Sequence, residues 1–221
     1  MFVSIALVTG GATECGPNSQ PLAPVLMVHG MGGSPKDFTD IRAWLIAQGY
    51  RESLLRTVKL SDSVGCMEQS AVEVAAAVET LARETGAPKV DVIAHSLGGL
   101  IVRYYAKNLG GDGYLRNVVT LSTPHHGTAL AKPNPWFCGV TQTSLGSAFL
   151  TALNAGDETP GEDVLYTAVW SPLDGLILPA ESALLGGDAR NIRVEENHLT
   201  ILRSTPTYDA IRGVLLGGEN G

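Results

Sequence analysis

The stretch Val90-Asp91-Val92-Ile93-Ala94-His95-Ser96-Leu97-Gly98-Gly99-Leu100-Ile101-Val102 constrains this chain more than any other. An apolar run of strand length meets a serine, and apolar residues then recur at helical spacing. The reading is a buried strand that turns sharply at Ser96 into a helix. So tight a turn strains the serine backbone, lifts its hydroxyl above the end of a sheet and leaves the next N–H at a helix N-terminus. That geometry suits a nucleophile. Small residues are required two places before and after the serine, where strand and helix backbones nearly touch. Ala94 and Gly98 supply them, with Ala94 adding one methyl to a G-x-S-x-G pattern. A motif this short also arises by chance in ordinary strand-to-helix turns, so the rest of the chain must decide.

With 221 residues and 44% hydrophobic content, the chain is long enough for one well-cored domain and short for two. The net charge of −7 argues against nucleic acid and disfavours acidic or phosphorylated substrates. Cys15, Cys66 and Cys138 lack the paired close spacing of a zinc site, so no metal is expected, and three cysteines leave at most one bridge. No run of eighteen apolar residues is present to span a membrane. Phe2 to Val8 is at best the remnant of a secretory signal, so residues 1–20 are read as a mobile N-terminal segment and 21–221 as a single domain. Ser4 to Thr13 resembles the dinucleotide-binding start of short-chain dehydrogenases. Glu14 stands where that pattern needs a glycine, however, and Pro17, Pro21 and Pro24 occupy the place of its phosphate-binding helix.

Downstream, apolar strands alternate with helical patterns. Strands are expected at Pro24–Val28, Leu54–Leu60, 90–95, Asn117–Ser122, Val164–Trp170 and Asn191–Glu195. Between them, Ser34 caps a helix through Phe38, Ile41 and Leu45, and Met67, Ala71, Val74, Val78 and Leu81 mark the core face of a longer one. Ala129 to Asp163 shifts in composition and is read as irregular except for a helix over Gly146–Leu153. The alternation predicts an α/β fold, a mostly parallel six-stranded sheet with helices on both faces. His125 and His126 are adjacent, so on extended backbone their rings point apart and cannot easily grip one ion; loop-shaping roles are expected for them.

Ala94 to Gly99, read as A-H-S-L-G-G, together with His29-Gly30-Met31-Gly32-Gly33, resembles the small bacterial secreted lipases of the α/β-hydrolase superfamily, over about Pro24 to Leu216. The resemblance implies the six strands and a serine hydrolase of carboxylic esters, a triacylglycerol lipase or esterase without cofactor. It implies Ser96 as nucleophile, Asp174 as acid, His198 as base, and the Met31 and Leu97 amides as the oxyanion hole, with His29 shaping the oxyanion turn. Chain order supports this, since His198 comes last and His125 and His126 precede any acid. Gly30, His95, Trp136 and Phe137 are expected to meet the substrate, the two aromatics as a fixed wall at the acyl entrance, with no full lid. Partners are then a lipid or small-molecule ester, with transient contact at a lipid interface, and the chain is read as a monomer. Secretion would favour a Cys66–Cys138 bridge, because both cysteines follow the carboxyl ends of strands and Cys15 does not. A thioesterase, a polyester hydrolase using the same triad, or a binding protein without catalysis on this fold stay open.

Overall fold

The computed structural model describes residues 22–217, so the readings of residues 1–20, of Ser4–Thr13 and of Cys15 lie outside the described residues. Six strands form one sheet: β1 Val25–Val28, β2 Leu55–Thr57, β3 Val90–His95, β4 Leu115–Leu121, β5 Leu165–Trp170 and β6 Arg190–Arg193. Their order is β2-β1-β3-β4-β5-β6, and every pairing is parallel. Parallel strands need crossovers, and six helices supply most of them: α1 Thr39–Ala47, α2 Met67–Thr85, α3 Leu97–Asn108, α4 Cys138–Thr143, α5 Ala148–Asn154 and α6 Thr205–Leu215. Among the described residues, no helix is long and apolar enough to cross a membrane.

Side-chain alternation along the strands divides the core in two. Leu26, Val28, Val92 and Ala94 face α2 and α3, where Met67, Val74, Val78, Leu81, Leu100 and Ile101 meet them. Val25, Met27, Ile93 and Val119 face the opposite layer, built from Phe38, Ile41 and Leu45 before and in α1 and from Ile211 and Leu215 of α6. Because both faces are covered, β1 and β3 are buried along their whole length. That explains why β1 reads as a continuous apolar run and why β3 carries apolar residues toward both layers.

Two elements differ from expectation. β2 stops at Thr57 instead of Leu60: it lies at the sheet edge with a 3-10 turn, Glu52–Leu54, before it, although the Val58 N–H still donates to the Met27 carbonyl at 3.0 Å. Helix α4 interrupts a segment expected to be irregular there. Its sequence, Cys-Gly-Val-Thr-Gln-Thr, has little intrinsic helix preference. Tertiary ties hold it instead. Cys138 is disulfide-bonded to Cys66, the Gly139 N–H donates to the Val64 carbonyl at 3.0 Å, and Gln142 Oε1 accepts the Met67 N–H at 2.8 Å. Helix α2 has no side-chain cap of its own, so Gln142 satisfies one of its free N-terminal donors.

Candidate active site

Strand β3 passes into α3 through Ser96 at φ 54°, ψ −130°, a conformation that non-glycine residues rarely adopt. The turn exists because the surroundings leave no other route. A Cβ on Gly98 would come within 2.5 Å of the Val28 carbonyl oxygen and 2.7 Å of that of His29. Opposite this serine, a Cβ on Gly30 would stand 2.7 Å from Ser96 Cβ. Small residues at both places therefore let the β1 loop, the β3 end and the α3 start converge on one hydroxyl.

Three loops at the carboxyl end of the sheet bring the remaining polar groups to it. His198 Nε2 lies 3.0 Å from Ser96 Oγ. His198 Nδ1 lies 2.9 Å from both oxygens of Asp174. Asp174 Oδ1 also accepts the Leu176 and Ile177 amides at 3.0 and 2.9 Å, and its carbonyl accepts the His198 N–H at 3.0 Å. Asp174 and His198 are thus tied through backbone as well as side chain. Burial pushes the Asp174 carboxyl up, but the His198 hydrogen bond and charge, the neighbouring Ser122 hydroxyl and the Leu176 amide outweigh it and hold the group below its ordinary value. Such an aspartate stays ionised and fixes the Nδ1–H tautomer, leaving Nε2 to accept a proton from Ser96.

His95 is buried beside this set with its ring centroid 4.8 Å from that of His198. Its Nε2–H donates to the His198 carbonyl at 2.8 Å. Desolvation, reinforced by the His198 charge, lowers its pKa to about 4, so the ring is neutral and acts as a strut. His29 braces the neighbouring turn: its Nδ1–H donates to the Gly30 carbonyl at 3.0 Å and its Nε2 accepts the Leu60 amide at 3.4 Å. Leu97 occupies the first position of α3, where an N–H has no intrahelical partner, and Met31 sits in the turn after β1 facing the same cavity.

That cavity measures about 620 Å³. Ser96, His198, His95, Gly30, Met31 and Leu97 all border it, and its further walls are largely aliphatic: Leu130, Ala131, Val140, Leu176, Ile177 and Leu202. Trp136 and Phe137 do not border it, which corrects their expected place at the acyl entrance. Trp136 is 86% exposed. Its loop is turned outward by Asn134, whose side chain accepts the Trp136 amide, while Leu130 and Val140 on either side face inward. These aliphatic walls escaped the sequence reading because they come from irregular segments and from the short helix α4, whose sequence shows no helical periodicity. His125 and His126 do point apart. His125 is buried and neutral, pushed well down by burial and the Arg103 charge, and accepts from Arg103 Nη1 at 3.4 Å, whereas His126 pairs outward with Glu158 at 3.2 Å. Among the described residues, no group of three or more His, Cys, Asp or Glu side chains could hold a metal ion.

The family model for palmitoyl protein thioesterase matches residues 24–173, a span that contains β1 to β5, both glycine-rich turns and Ser96. The chain belongs to that family. Curated relatives are similar over part of their length: the chain is 31% identical over 113 residues to a triacylglycerol lipase of Pseudarthrobacter phenanthrenivorans, covering 49% of this chain and 35% of the relative. It is 28% identical over 151 residues to a triacylglycerol lipase of Pseudomonas fragi, covering 62% and 50%. The chain thus spans a third to a half of the length of these curated relatives. Among solved structures, the mature form of Bacillus licheniformis lipase BlEst2 superposes with a TM-score of 0.73 at 18% identity, covering 91% of this chain and 96% of that one. That likeness carries the fold, which is the α/β-hydrolase fold.

Proposed function

We propose that this chain is a serine hydrolase of carboxylic esters carrying medium or long acyl groups, a lipase or esterase. The observation that carries the reading is the Ser96 hydroxyl, 3.0 Å from the Nε2 of an aspartate-held histidine, at the wall of an aliphatic cavity of about 620 Å³. Ser96 Oγ attacks the acyl carbonyl as His198 Nε2 takes its proton. Asp174 stabilises the resulting imidazolium, and the Met31 and Leu97 amides receive the oxyanion. His198 returns the proton to the leaving alkoxide, the alcohol departs, and a water molecule deprotonated by His198 releases the acid from Ser96. Every group needed comes from one chain, which supports action as a monomer. Met31, Leu130, Leu176 and Leu199 border the cavity and are also exposed, which suits brief contact with a lipid surface. The Cys66–Cys138 bridge supports an oxidising destination, hence secretion.

A second reading, hydrolysis of acyl thioesters, is favoured by the family to which the chain belongs. The same residues would serve, with a thiolate as leaving group. Labelling by a fluorophosphonate tests the shared mechanism, and the expected adduct is on Ser96. No label on Ser96 in the folded protein would sink it. Turnover of nitrophenyl octanoate against octanoyl-coenzyme A then separates ester from thioester preference.

A further inference from the structure

Among the described residues, Ser96 and Ser122 are the two non-glycine residues with positive φ, at 54° and 46°. The elbow explains the first. Ser122 is fully buried directly after β4, where glycine would adopt the same backbone without strain. Strain at a buried serine calls for a role for its hydroxyl. The register places that hydroxyl. Leu121 pairs with Val169 on β5, and the Ser122 N–H extends the ladder to the Val169 carbonyl at 2.9 Å, beside the exit of β5 that leads to Asp174. The hydroxyl is close enough to help lower the Asp174 carboxyl, yet Ser122 Oγ has no aligned hydrogen-bond partner.

The two oxygens of Asp174 are unequally supplied. Oδ1 accepts from the Leu176 and Ile177 amides and from His198 Nδ1, whereas among the described residues His198 Nδ1 is the one aligned donor to Oδ2. A carboxylate oxygen takes more than one donor, and an unmatched buried hydroxyl beside it is a costly arrangement unless the two meet during the reaction. We propose that Ser122 is a positioning residue, whose hydroxyl turns to donate to Oδ2 of Asp174 and fixes the carboxylate while His198 carries the proton. Its neighbour shows the same use of this strand end: Thr123 Oγ1 donates to the Ser96 carbonyl at 2.9 Å. The inference rests on the hydrolase reading above for its catalytic meaning, though the hydrogen bond itself does not.

Ser122→Ala removes the hydroxyl and keeps the strained position occupied by a Cβ, whereas Ser122→Gly removes both hydroxyl and strain and suits the backbone. In both, kcat for a nitrophenyl ester is expected to fall about tenfold with KM unchanged, the scale of one hydrogen bond to a charged group. In both, the low-field proton resonance of His198 Nδ1–H is expected to move downfield, because an Asp174 that has lost a donor binds that proton more strongly. Ser122→Cys, with a weaker donor of similar shape, should lie between the variants and the parent. Parent-like kcat and an unmoved resonance in Ala and Gly variants overturn the proposal. So does an impaired Ala variant with a fully active Gly variant, since backbone strain alone would then explain the site. If the parent protein hydrolyses no ester or thioester, the hydrolase reading fails, and the resonance comparison still decides whether Ser122 holds Asp174.

Discussion

His95 adjoins Ser96 in sequence, yet its Nε2 is spent on the His198 carbonyl at 2.8 Å, so it holds the loop that carries His198. Its folded-state pKa of about 4 lies below the ordinary histidine value. As pH falls below about 6.5 the unfolded chain takes the proton first, so stability is full above that pH and is lost progressively down to about 4. The buried His125 is displaced in the same direction and adds to the loss. Denaturant unfolding at pH 7 and pH 4.5 should show this fall, and His95→Asn, which cannot titrate, should flatten part of it; an unchanged slope would remove His95 from the account. For turnover, Ser96→Ala or His198→Ala should each cost roughly a millionfold in kcat, and Asp174→Asn about ten-thousandfold, by analogy with other triads. Steady-state rates on a nitrophenyl ester check this, and a His198→Ala variant of ordinary activity would refute the assignment of the base.

Helix α4 is the element whose existence depends most on the rest of the molecule. The Cys66–Cys138 bridge closes a separation of 72 residues, which in the chain-entropy model contributes about 4 kcal/mol. Replacing both cysteines by serine should lower stability by about that amount in urea unfolding. Val140 of the same helix borders the cavity, so KM should rise more than kcat falls. Gln142 ties α4 to α2 through the Met67 amide and both Glu68 oxygens. Gln142→Ala should therefore cost about 1 kcal/mol, the scale of a lost cap, measurable by thermal unfolding of the oxidised protein. The stripe from Met67 to Leu81 was legible as a core helix because its spacing is local information. α4 was not, because a disulfide, a loop carbonyl and a distant glutamine stabilise it.

At the scale of the whole molecule, the segment that could have formed a mobile cover is fastened to the body by α4, α5 and the bridge, and Ser96 is partly exposed. Rates on a short-chain triglyceride should accordingly rise smoothly through its solubility limit, and a several-fold jump above the limit would reveal a cover. The chain's own pattern determined the strand-and-helix alternation and the Ser96 turn, because strand periodicity and glycine placement are properties of neighbouring residues, whereas Asp174 and His198 were legible only through the family resemblance and its chain order. Only the tertiary structure decided that Leu130 and Val140, not Trp136 and Phe137, wall the cavity, since which face of a loop or of a helix as short as α4 turns inward depends on what it packs against. For the same reason it alone revealed His95 as a strut and brought the strained Ser122 beside Asp174. His198 and Asp174 lie 103 and 52 residues from His95 and Ser122 along the chain, and no local spacing encodes a proximity made by folding two strand ends together.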